Sequence, residues 1–303
     1  MNPATLRQRF PLPGLSFDEH NGLPRVHVTT PQASATIYLQ GAHLTAWQPA
    51  GFNPAILLSS KSLFAPGKPI RGGIPVVFPW FAGDKKKDRL HDETGPHPGP
   101  SHGFARVEEW SLDHAAAVGA STQLTFSLGP TALSRSMGFD AFLLTLVFTI
   151  GAELSLTLTV TNTGAQPLQF EEAFHTYFRV ADIHETVVAG LESISFLDKT
   201  AAGIRKPAQH APIRFTQTLD RVYNGTTSTC EISDPAGRRV TRVAKEGSNS
   251  TVVWNSFAEL AEIGPWDWHE YVAVETANVG DDALTLAPKA SATMRLHVTQ
   301  QHM

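Results

Sequence analysis

Two neighbouring stretches near the middle of the chain place an apolar residue at every second position, and this pattern constrains the fold more than any other feature. Phe142, Leu144, Leu146, Phe148 and Ile150 share one side of the first. Leu154, Leu156, Leu158 and Val160 share one side of the second, with Ser155, Thr157 and Thr159 opposite. A period of two puts those side chains on one face of a strand, whereas a helix would need spacings of three and four. Leu124, Phe126 and Leu128 repeat the pattern, as do Met294, Leu296 and Val298. Turn-forming clusters lie between such runs: Asn162-Thr163-Gly164, Asn224-Gly225 and Asp234-Pro235-Ala236-Gly237. The expectation is an all-β chain of half-buried antiparallel strands in packed sheets. One short helix is expected after Ser256, which can cap it with Glu259 three residues on.

Composition narrows the function. The 303 residues are 42% hydrophobic and 17% charged, enough apolar material for a large core. No repeat and no Gly- or Ser-rich linker divides the chain, so a single domain over residues 1–303 is expected. The net charge of -4 predicts no attraction to nucleic acid or to an anionic membrane, so an anionic ligand would need a few well-placed arginines. The lone cysteine, Cys230, permits no intramolecular disulfide and no cysteine-rich metal site. The N-terminal residues lack the apolar run of a signal peptide, and no stretch reaches the length of a membrane-spanning helix. The cytoplasm is the expected location and a monomer the expected state. The thirteen histidines form no HExxH motif, and Walker, Rossmann and GxSxG patterns are missing. Asp84 to Pro100, with Lys85, Lys86, Lys87, His91 and His97, reads as one long surface loop.

Four segments are too polar or too unusual for ordinary strands. In Pro69 to Phe81, Arg71 stands beside Gly72 and Gly73, which suits close backbone approach to a ligand, and its planar fork suits a phosphate. Ser101-His102-Gly103-Phe104-Ala105-Arg106 joins an imidazole to a fixed cation. Phe170 to Phe178 reads as a further strand with His175 among aromatics, where desolvation tunes an imidazole for acid–base work. Trp266 to Asn278 ends an apolar strand at Glu275, which reads as a surface carboxylate or as a base at a pocket mouth. Glu270 and His269 compete for the same roles.

Taken in order, Lys68 to Pro75 with Phe78-Pro79, His102 to Arg106, Phe174 to Phe178, Leu219 to Tyr223 and Val274 to Asn278 resemble the hexose-6-phosphate mutarotase branch of the galactose-mutarotase-like superfamily. The resemblance implies a large antiparallel β-sandwich and interconversion of the α and β anomers of a hexose 6-phosphate, glucose 6-phosphate foremost. It implies His175 as general acid and Glu275 as general base. Arg71 and Arg106 would bind the phosphate and Asp220 the sugar hydroxyls; Ser101 and His102 would also contact substrate. No metal and no organic cofactor is implied. Three other readings share these residues: a mutarotase of unphosphorylated sugars, a non-catalytic sugar phosphate binder, and a glycoside-processing enzyme using Asp220 with Glu275.

Overall fold

The computed structural model describes residues 1–83 and 99–303, and the alternating runs lie within a nine-stranded sheet. Its order is Ile213–Arg214, Val187–Ala189, Cys230–Asp234, Arg239–Glu246, Ser291–His302, Leu154–Asn162, Phe142–Ile150, Ser121–Leu128 and Ser111–Val118. Leu144, Leu146, Phe148, Leu154, Leu156, Leu158 and Val160 are completely buried, while Thr145, Val147, Thr157 and Thr159 between them are half-buried. The period-two pattern is thus one inward face and one outward face.

A second sheet has eight strands. It runs Ile204–Lys206, Phe196–Asp198, Leu219–Tyr223, Ser250–Asn255, Tyr271–Asn278, Glu172–Phe174 and Val76–Val77, with Tyr177–Arg179 also paired to Tyr271–Asn278. Phe174, Phe178, Val253, Val272 and Val274 from this sheet enter the same apolar cluster as the inward face of the nine-stranded sheet. A four-stranded meander from Leu15 to Pro49 contributes Val26, Ile37, Leu44 and Trp47 to that cluster. Every pairing between these strands is antiparallel. The expected all-β sandwich is therefore the observed architecture. Among the described residues, no helix is long and apolar enough to cross a membrane.

Two local expectations are corrected. No helix follows Ser256. Asn255 Oδ1 instead accepts the Phe257 amide at 2.7 Å, Ser256 Oγ donates to the Ala258 carbonyl at 2.8 Å, and Phe257 takes a positive φ of 49°. Those local bonds compete with a capped first turn. Short helices form at Pro3–Arg9 and Ala132–Ser136, each capped by the side chain before it, Asn2 and Thr131. The segment from Phe170 to Phe178 is not one strand but parts of three, broken at Glu171 and at His175-Thr176. There the His175 amide donates to the Pro75 carbonyl at 3.0 Å and the Thr176 amide to the Phe174 carbonyl at 2.8 Å. The loop expected from Asp84 to Pro100 lies, up to residue 98, outside the described residues.

Glu172 is a cost built into this core. It is completely buried; its Oε1 accepts from Asn278 Nδ2 at 2.9 Å and its Oε2 has no partner among the described residues. Burial pushes its pKa up to about 8 against the opposing pull of the Asn278 bond. The folded protein holds this proton more tightly than the unfolded chain, where the side chain titrates near 4.5. Stability from this group is therefore full below that value and lost as pH rises through about 8. Glu172→Gln keeps an acceptor for Asn278 and removes the charge. Melting curves at about pH 9 should place this variant several degrees above the parent, with a much smaller gap at about pH 6. Equal gaps at both pH values would show that Glu172 is not the group that titrates.

Candidate active site

Alternation along Tyr271–Asn278 sends Val272 and Val274 into the shared core and leaves Tyr271, Ala273, Glu275 and Ala277 on the opposite face. Neighbouring strands add Asp220, Val222, Val252, Trp254, Ala173 and Tyr177 to that face. The register then decides which side chains meet. Val252 pairs with both Val222 and Glu275, and Trp254 with both Asp220 and Ala273. On the other side Ala173 pairs with Ala277 and Tyr177 with Ala273, which brackets His175 opposite Glu275. Their Nδ1 and Oε1 atoms are 3.5 Å apart, and the residues are only 6% and 1% exposed. Glu275 thus sits within its strand, not at the strand end that the sequence suggested. The His175 ring stacks on Tyr177 at 4.7 Å and meets the rings of Trp254 and His102 edge-on at 5.8 and 5.4 Å.

Two glycine-bearing turns bring up the cations. A Cβ on Gly73 would stand 2.4 Å from His43 Nε2 and 2.5 Å from the Leu44 carbonyl oxygen, and its φ is +72°, so only glycine lets this turn pack down. Arg71 beside it is fixed through its backbone: its amide donates to Ser62 Oγ at 3.1 Å, and Ser62 Oγ donates to its carbonyl at 2.5 Å. Its guanidinium forms an ion pair with Glu262. Asp267 ties the two flanking segments together by accepting from Ser59 Oγ and from the Ser60 and Gly264 amides at 2.8 to 2.9 Å. In the second turn, a Cβ on Gly103 would lie 2.0 Å from the Phe78 carbonyl oxygen. His102 Nδ1 there accepts the Ala82 amide at 3.3 Å, which leaves its proton on Nε2. Arg106 is buried; its Nη2 donates to the Ser101 carbonyl at 2.7 Å, and its Nε has no acceptor among the described residues.

Electrostatics follow from this crowding. Burial, then the Arg71 charge, lowers the Arg106 pKa to about 10. Burial, followed by Arg71 and Arg106, holds His175 well below the usual imidazole range. Burial and the neighbouring Asp220 hold Glu275 well above the usual carboxylate range, against the pull of Lys199. Burial and Arg106 also hold His102 down. Within the protein's own groups the proton of the pair therefore favours Glu275, with His175 neutral. Both groups of the pair lean toward their uncharged forms.

Of the residues singled out from the sequence, Arg71, His102, Arg106 and His175 act on one another electrostatically, and Asp220 acts on Glu275, which faces His175. Ser101 is exposed and reaches the group through its carbonyl. Glu270 pairs with Arg179, and His269 lies beside His184, both apart from the pair. Lys199, Trp254 and Glu262 were missed. Lys199 lies 5.2 Å over the Phe81 ring and acts on both His175 and Glu275. None of the three sits in a motif; only the fold brings them near.

A family profile described as aldose 1-epimerase matches residues 24–299. The chain belongs to the aldose 1-epimerase family. Its likeness to that family covers nearly the whole sandwich, and the resemblance carried by the five sequence segments is borne out. A protein of Cenchrus ciliaris, provisionally named glucose-6-phosphate 1-epimerase, is 33% identical over 84% of this chain and 77% of its own length. An Escherichia coli K12 protein with the same provisional name is 31% identical over 88% of this chain and 86% of its own. The crystal structure of a provisionally named mutarotase from Salmonella typhimurium superposes with a TM-score of 0.86 at 25% identity, covering 99% of this chain and 100% of that one.

In this epimerase, Glu262 occupies the guanidinium of Arg71 and is itself 59% exposed. An exposed partner of this kind holds weakly, typically by less than about 1 kcal/mol. Glu262→Gln should therefore tighten binding of inorganic phosphate by about two- to fivefold in calorimetric titration. Unchanged or weaker binding would show that Arg71 takes no part in holding an anion.

Proposed function

We propose that this enzyme interconverts the α and β anomers of a hexose 6-phosphate, glucose 6-phosphate first among them. The observation that carries the reading is the pair of arginines beside the acid–base pair. Two neighbouring guanidiniums, of which Arg106 is buried, depressed by the Arg71 charge and left with an unpaired Nε among the described residues, gain most from an anion placed between them. The provisional names of the Cenchrus ciliaris and Escherichia coli relatives support the same substrate. The apolar layer shared by both large sheets supports treating residues 1–303 as one domain.

Mutarotation opens the hemiacetal ring and closes it on the other face of the aldehyde. Opening removes the proton of the anomeric hydroxyl and delivers one to the ring oxygen. Glu275 as carboxylate takes the first and His175 as imidazolium gives the second; closure reverses both transfers. The pair holds one proton in either arrangement, so it enters the reaction by moving that proton from Glu275 to His175. A phosphate dianion on Arg71 and Arg106 favours this move, because it offsets the two charges that hold His175 down. His102, with its proton on Nε2, can donate to the open-chain oxygen, and Asp220 can accept from a sugar hydroxyl. The arginines anchor the distal end while the anomeric carbon turns over, so remote binding energy becomes positioning. Side chains supply both proton transfers.

Exchange NMR on equilibrated sugars tests the substrate. The protein should enhance α/β exchange of glucose 6-phosphate far more than that of glucose, and Arg71→Ala should remove most of that preference. Equal enhancement of both sugars, with equal loss in the variant, would move the assignment to a general aldose mutarotase. Binding of glucose 6-phosphate without enhanced exchange would favour a sugar phosphate binder.

A further inference from the structure

We infer that Asp182, His184 and His269 form a binding site for a divalent d-block cation of the Zn2+ class, separate from the acid–base pair. One donor atom from each residue lies within 4.8 Å of the other two. The residues come from two segments that leave the same ladder. Arg179 pairs with Tyr271 at the end of Tyr177–Arg179 against Tyr271–Asn278, and just beyond, the Val180 amide donates to the Glu270 carbonyl at 2.9 Å. The Ile183 amide then donates to the His269 carbonyl at 2.8 Å. These backbone bonds set His184 beside His269, with ring centroids 5.6 Å apart.

The donors are prepared for such an ion. Asp182 Oδ1 accepts the His184 amide at 2.9 Å, which fixes the carboxylate and leaves its other oxygen available. Among the described residues, neither imidazole makes a side-chain hydrogen bond. Their rings are held by aromatic contacts instead. His269 stacks on Trp268, and His184 meets Phe257 and Trp268 edge-on at 5.0 and 5.9 Å. Two imidazoles and one carboxylate suit zinc and its neighbours; Mg2+ and Ca2+ prefer all-oxygen sets. Tetrahedral zinc with bonds of ~2.0 to 2.1 Å needs donors ~3.3 Å apart. The donors lie within 4.8 Å of one another, and His184, being exposed, can swing to bring them to the tetrahedral spacing. Water would complete the coordination.

The site lies at the entry of the strand that carries Glu275, roughly 13 Å away by four strand rises from Tyr271. Its effect is structural: an ion there clips the turn at 180–186 to the 3-10 helix Asp267–Glu270. Equilibrium dialysis of the full chain against ZnCl2 should show saturable uptake that His184→Ala, His269→Ala and Asp182→Asn each weaken by about tenfold or more. Zn2+ should raise the melting temperature of the parent and not of His184→Ala. His184 is exposed, so this variant should melt like the parent without metal, which separates lost binding from lost folding. A millimolar excess of Mg2+ should not compete. No saturable uptake, uptake unchanged in the variants, or displacement by Mg2+ would each overturn the assignment. None of these readouts depends on epimerase activity.

Discussion

The structure turns on one buried juxtaposition, the His175 imidazole facing the Glu275 carboxyl across adjacent strands. Burial of an unpaired carboxylate or imidazolium is costly, and a core built for stability alone would fill this position with apolar side chains. The fold accommodates the pair by breaking a strand. The amides of His175 and Thr176 turn to Pro75 and Phe174, while pairing on both sides continues and keeps the register that sets the two side chains opposite one another. The inner face of the same sheet is closed by Val272, Val274 and Phe174, so the chemistry rests on a rigid floor.

Charge around the pair is balanced between opposing neighbours. Asp220 pushes Glu275 up and Lys199 pulls it down; Arg71 and Arg106 push His175 down. Burial dominates each shift, and both groups lean toward their uncharged forms; the proposed reaction relies on the substrate to favour the charged ones. In this account the phosphate has two roles, as a handle and as a counter-charge. An unphosphorylated sugar supplies neither, so the proposed specificity and the rate would run through the same two arginines.

Much of the fold was legible because strands with one buried face write their period directly into sequence: Phe142 to Val160 needed no other information. The site was legible where a residue type had no local excuse, as with Arg71 beside two glycines or a histidine within an aromatic run. What escaped depends on distance in sequence. Glu262 reaches Arg71 from a loop almost two hundred positions on, and Lys199 reaches the pair from a turn with no distinctive composition. The helix expected at Ser256 failed because Asn255 and Ser256 satisfy nearby backbone groups first. The strand break at His175 had no sequence signal, since the acceptor that draws its amide away is a carbonyl of a distant segment.

The central claim is that Glu275 exchanges the anomeric proton, and its removal is the most direct test. The measurement is the rate of α/β exchange at saturating glucose 6-phosphate for the parent and for Glu275→Gln, with affinity for the sugar phosphate followed in parallel. The account predicts a rate enhancement reduced on the order of a hundredfold or more, with binding retained, as expected when general acid–base catalysis is the main contribution. Exchange by Glu275→Gln at the parental rate would contradict it.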